Sequence, residues 1–161
     1  MYKIHKNRHF SFFGGHAETV EPGWRWPTEH HPAFEIMHIL DGAQRTVTES
    51  AEKIIKAGEM MIIPIGMEHT NYCWGNESMT FFTMHFNLDD PVIKYLLVKN
   101  FTNQIIDQTA PYYDELRKSL DYAFCCFWCF TAGFFICAIL WMTGMAIVLA
   151  CLFIQMIRSV K

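Results

Sequence analysis

Between Ala33 and Asn87 the chain leaves no room for a helix. Short β-prone runs follow one another there, each cut off by turn residues, which is the spacing of a sandwich or barrel. Ala33–Leu40 is closed by Asp41-Gly42, a strong turn dipeptide. Gln44–Thr48 and Glu52–Lys56 come next, the second ending before Gly58. Met60–Ile63 is apolar throughout and stops at Pro64 and Gly66, which predicts a strand buried on both faces. His69–Trp74 and Met79–Asn87 flank the Gly75-Asn76 turn. Residues 1–15 read as an arm or first strand, with Phe10, Phe12 and Phe13 apolar and Gly14-Gly15 as its punctuation. Counting that arm gives about seven strands and a mainly β fold whose expected form is a jelly roll.

After Asp89-Asp90-Pro91 the pattern turns helical, with Asp90 as N-cap and Pro91 at the first helical position. Val92, Tyr95, Leu96 and Phe101 lie close to helical spacing; Tyr112, Leu116 and Leu120 recur at i, i+4 and i+8 within Pro111–Tyr122. Three units result: a barrel over 1–89, an amphipathic helical extension over 90–122, and a strongly hydrophobic helical segment over 123–157.

Charge follows the same division. All 16 acidic residues and 11 of the 13 Lys and Arg residues lie at or before Asp121, leaving that part at −5, whereas Tyr122–Ile157 is 36 residues without a charge. An acidic front part with no basic run excludes nonspecific nucleic-acid binding, so no direct contact with nucleic acid is expected. The N-terminus carries no apolar stretch with a cleavage site, so the barrel is expected in the cytoplasm. A tail of this apolarity reads as a membrane anchor through 123–157, as one span or as a hairpin bent near Thr143-Gly144. As a single helix it would run about 54 Å, longer than the ~30 Å that a hydrocarbon core requires. The rival account is a reading-frame change near Tyr122 that truncated a longer protein. Cys126 and Cys129 have CxxC spacing, but no histidine follows His85, and the pair is read as apolar cysteines in a hydrophobic helix.

The chemistry-bearing residues fall in two segments. Glu29, His31 and Glu35 stand at offsets of 2 and 6, so on one strand they would share a face, the inward face of a small barrel. Pro64 and Gly66 form the tight turn that lets His69 enter the same cavity from the next strand. His31, Glu35 and His69 make a two-His, one-carboxylate set suited to a divalent transition metal, with Glu29 as a fourth oxygen ligand. The alternative is an interior His–Glu pair that satisfies itself. Phe81, Thr83 and His85 share one face by the same alternation, expected to be the inward one; a ring beside hydroxyl and imidazole groups suits a sugar. Trp24 or Trp26 would add a second platform.

These segments resemble the two motifs of the cupin superfamily. The first is met at Gly23, His31, Glu35 and Gly42, with Glu29 where the first histidine stands. The second is met at Gly58, Pro64, Gly66 and His69, with Cys73 in place of the final asparagine. The fold expected is therefore a cupin-type jelly-roll barrel followed by C-terminal helices. A narrower resemblance, over residues 10 to 122, is to the effector domain of AraC/XylS-type transcription regulators; it rests on Pro27–Glu35 leading into Ile39–Gly42, on Lys56–His69, and on Phe81–Phe86. That resemblance implies a small-molecule sensor, commonly of a sugar, which dimerises through helices after the barrel and works through a DNA-binding part absent here. It implies binding at Trp26, Glu29, His31, Glu35, His69, Phe81, Thr83 and His85, and no enzyme. The competing readings are a metal-dependent cupin enzyme, an isomerase or dioxygenase, and a membrane-tethered interaction module.

Overall fold

The computed structural model describes residues 10–131; the apolar segment expected over 123–157 lies outside the described residues from 132 onward. Its elements in order are β1 Phe10–Val20, β2 Phe34–Asp41, β3 Ala43–Thr48, β4 Glu52–Lys56, β5 Met60–Ile63, β6 His69–Cys73, β7 Met79–Leu88, α1 Pro91–Phe101, β8 Ile105–Ile106 and α2 Tyr113–Thr131. The strands form a five-stranded sheet in the order β1-β7-β2-β5-β8 and a three-stranded sheet in the order β4-β3-β6. All named strand pairs are antiparallel. The architecture is a mainly β jelly roll of the cupin type, followed by helices.

Turn chemistry sets the strand ends. Gly42 sits at φ +71°, and a Cβ there would collide with the Ser78 carbonyl, so the Asp41-Gly42 corner requires glycine. Gly14 does not stop the first strand as the sequence suggested. With φ +138° it forms a bulge where the β1–β7 register shifts, and β1 runs on to Val20.

Both faces of the larger sheet are covered. Toward the smaller sheet, Met37, Ile39, Met61, Ile63 and Phe81 pack with Ile55 and Cys73. On the other face, Phe34, Ile36, Met60, Phe82, Met84 and Phe86 pack against helical residues Ile93, Leu97, Phe101, Leu116 and Leu120. Double coverage explains why β2 and β5 are buried at consecutive positions rather than alternating.

The helices depart from the sequence expectation in two places. Asp90 does cap α1, accepting from the amides of Val92 (2.9 Å) and Ile93 (3.2 Å). The residues buried by α1 are Ile93, Leu97 and Phe101, whereas Val92 and Tyr95 are exposed. The expected stripe was therefore rotated by about one residue, because the sheet selects the i, i+4, i+8 row that meets Met84 and Phe86. α2 continues through the expected boundary at 122/123, burying Leu116, Leu120 and Ala123 along one face. Among the described residues no helix is long and apolar enough to cross a membrane, so the anchor gains no support from them.

Candidate metal and ligand site

The site is assembled from four pieces of chain rather than from two strands. Residues 24–29 run beside β6: Trp26 N–H donates to Asn71 O (2.9 Å), and Glu29 and His69 exchange both backbone bonds at 3.0 Å. Glu29 is thus directly opposite His69, and the two side chains share a face. The chain then bends at Pro32-Ala33, and β2 begins only at Phe34. The single strand expected to align Glu29, His31 and Glu35 does not exist; proline and the bend break it. His31 is brought in instead by its carbonyl, which accepts from Gly66 N–H at 2.9 Å and ties the Pro64–Gly66 turn beneath it. Glu35 pairs across the sheet with His85 of β7.

The side chains converge. Glu29, His31, Glu35 and His69 each place a ligand atom within 4.8 Å of the others. Glu35 Oε2 lies 3.0 Å from His69 Nε2, 3.4 Å from His31 Nε2 and 3.9 Å from His85 Nε2. Glu29 Oε1 lies 3.5 Å from His31 Nε2 and 3.8 Å from His69 Nε2. Thr83 Oγ1 donates to the other Glu35 oxygen at 2.5 Å and fixes the carboxylate. His69 Nδ1 stands 3.1 Å from the Met67 carbonyl, which can only accept, so Nδ1 carries a proton and Nε2 faces the cluster. None of His31 Nε2, His69 Nε2, His85 Nε2 or Glu35 Oε2 finds a hydrogen-bond partner, although all are buried. The contacts are close His–carboxylate ion pairs out of hydrogen-bond alignment, so the expected His–Glu pair is present as charge pairing while its buried ring nitrogens and Glu35 Oε2 stay without hydrogen bonds. Buried lone pairs directed at one another without partners fit a shared cation, and imidazole with carboxylate is a set that transition ions accept.

Electrostatics agree. Burial pushes the Glu35 carboxyl up, but His31, His69 and Thr83 outweigh it and hold it well below the usual carboxylate range. Glu35 likewise raises His31. For His69 burial pulls downward, and the Glu35 carboxylate reverses it, leaving the imidazole raised. His85 is lowered, first by burial. In the metal-free chain the raised imidazoles contribute stability that is full below their ordinary value of 6.5 and is lost as pH rises through the raised values. Unfolding free energy of the metal-free chain should therefore fall as pH rises above 6.5 and through the raised values, and the slope should flatten in Glu35→Gln. Urea unfolding at a series of pH values checks this; an equal slope in the variant would contradict it.

The remaining expected residues lie farther along the concave face. Phe81 is buried against Trp24 and His16, with centroids 5.6 and 5.8 Å away. Trp26 is 40% exposed and leans on Trp24 at 6.0 Å, at the rim rather than in the cluster. Sequence reasoning missed His16, which β1 pairing places opposite Thr83. It also missed a buried polar network in which Gln44 Nε2 and Thr46 Oγ1 donate to Asn71 Oδ1 at 3.2 and 2.9 Å. The alternation of Gln44, Thr46 and Thr48 was the available signal.

The family model described as Cupin domain matches residues 16–85, the stretch that contains the motif residues from Gly23 to His69. Among solved structures, a cupin-2 domain containing protein from Shewanella frigidimarina is similar at 19% identity, over 51% of this chain and 72% of that one, with TM-score 0.37. A predicted oxalate decarboxylase from Thermotoga maritima is similar at 24% identity over 46% and 65%, with TM-score 0.43. A conserved protein of unknown function from Streptococcus pyogenes is similar at 14% over 51% and 75%, with TM-score 0.42. No curated protein shows significant similarity to the chain.

Proposed function

We propose that this chain is an effector-sensing cupin domain. In this reading its His/Glu cluster holds a divalent transition ion, and a small oxygen-rich molecule, a sugar or sugar acid, binds beside it. One observation carries the reading. β2 and β7 bear the site and the helical cover at alternate positions: Glu35 and His85 point to the cluster, while Phe34, Ile36, Met84 and Phe86 point to α1 and α2. A ligand that shifts Glu35 or His85 displaces the residues on which the helices rest, which is what a sensor of the AraC/XylS kind requires. His31, Glu35 and His69 would hold the ion with Glu29 on its open side, and Trp24 and Phe81 would offer rings to the apolar face of a sugar. The ion, when bound, supplies open coordination positions for oxygen donors. Thr83 keeps the Glu35 carboxylate oriented, and Met67 keeps His69 in the tautomer that faces the cluster.

Thermal-shift screening of the full chain against sugars and sugar acids, metal-loaded and metal-stripped, tests the proposal. A ligand at about 100 times its Kd adds about 2.7 kcal/mol, and the gain is expected only with metal, together with slower amide exchange in α1 or α2. A ligand that leaves exchange in both helices unchanged would count against sensing. The second reading, a metal-dependent enzyme, is favoured by the buried, unpartnered donor set alone. It predicts that the ligand recovered after incubation is chemically altered, whereas a sensor returns it intact.

A further inference from the structure

The inner coordination set differs from the group of residues that lie closest together. Among the described residues six buried side-chain atoms lack a hydrogen-bond partner. Two of them, on His38 and Arg45, belong to outer faces: His38 sits opposite Phe82 of the helix-covered core, and Arg45 stacks over Tyr72 at 4.3 Å. The other four are His31 Nε2, Glu35 Oε2, His69 Nε2 and His85 Nε2. Glu29 is not among them. What separates it from His85, whose side chain is about as exposed, is that its oxygens are not buried without a partner.

Resting on the metal-centred reading above, we infer that His85 completes the inner set, so that three imidazoles and Glu35 hold the ion while Glu29 stands at the solvent side. Reach permits it. Donors about 2.0–2.2 Å from one ion can be at most about 4.4 Å apart; His85 Nε2, 3.9 Å from Glu35 Oε2, meets that limit for this pair, while standing outside the group of four whose ligand atoms are all within 4.8 Å of one another. The placement is built into the sheet, because Glu35 and His85 are direct cross-strand partners and their side chains must emerge on the same face. His85 also packs edge-on to His31, with centroids 4.5 Å apart. Three neighbouring imidazole Nε2 atoms shut off from water without a partner carry a cost that a shared cation removes. Such a set selects zinc, cobalt, nickel or iron over magnesium and calcium more sharply than two carboxylates with two imidazoles would.

The test is Co(II) binding to the full chain. Proton NMR would count the paramagnetically shifted imidazole N–H resonances that vanish in D2O, one for each coordinated ring. Three are expected in the wild type and two in both His85→Ala and His85→Gln, with affinity lowered by at least about tenfold, since even outer partners of metal ligands are worth 10–100-fold. Glu29→Gln should keep all three resonances. Far-UV circular dichroism confirms that each variant is folded. A wild type showing two resonances, with affinity indifferent to both His85 variants, overturns this inference and leaves the metal-centred reading standing. A wild type whose Co(II) uptake is unaffected by His31→Ala/His69→Ala overturns both.

Discussion

Phe86→Ala should destabilise the domain by about 3–5 kcal/mol, the usual cost of emptying a buried aromatic site. The ring is fully buried and lies between two others, stacked on Phe10 at 5.6 Å and 13° and on Phe34 at 5.4 Å and 19°. These three residues come from β1, β2 and β7, so the cavity would open where three strands and the helical cover meet. Domains of this size have about 5–15 kcal/mol in total, so the variant would keep only part of its stability. Urea unfolding followed by circular dichroism measures the loss. A change below about 1 kcal/mol would mean that the packing between sheet and helices is not as described. The site should suffer too, since Phe34 and Phe86 form the cross-strand pair adjacent to Glu35 and His85.

The second large effect concerns charge. In His31→Ala/His69→Ala the Glu35 carboxylate stays buried but loses the two imidazoles that hold it ionised. An uncompensated buried charge costs about 3–5 kcal/mol, so the metal-free double variant should be much less stable than the parent at neutral pH. The defect should shrink toward lower pH, where Glu35 takes up a proton, and should largely disappear when Glu35→Gln is added. Metal binding should be lost in the same variant. A double variant with unchanged neutral-pH stability and unchanged metal uptake would show that these three side chains do not form one unit.

Local sequence signals located nearly every strand, because β-prone runs and Gly or Pro turns act over a few residues. Asp41-Gly42 and the Pro64–Gly66 turn were legible for that reason. The cluster His31, Glu35 and His69 was also legible, though by a route that the structure corrects. Pro32 breaks the expected strand, and the residues meet through the Glu29–His69 bridge and the Gly66–His31 bond instead. Contacts between distant segments were not legible in detail. Nothing near His85 announces that register will set it against Glu35, and nothing near His16 announces Thr83. The pairing of residues 24–29 with β6 was hidden by Pro27, which reads as a strand breaker. In α1 the apolar residues Val92, Ile93, Leu96, Leu97 and Val98 support more than one stripe, and only the sheet beneath decides between them.

The central claim is that histidines from two separated segments close on one interior point. X-ray absorption at the zinc edge of the zinc-loaded full chain tests it most directly. A nitrogen and oxygen shell at about 2.0–2.1 Å is predicted, with the outer-shell scattering of several imidazoles that disappears in His31→Ala/His69→Ala. A shell dominated by sulfur at about 2.3 Å, placing the ion on cysteines, or a spectrum without imidazole scattering, would contradict it.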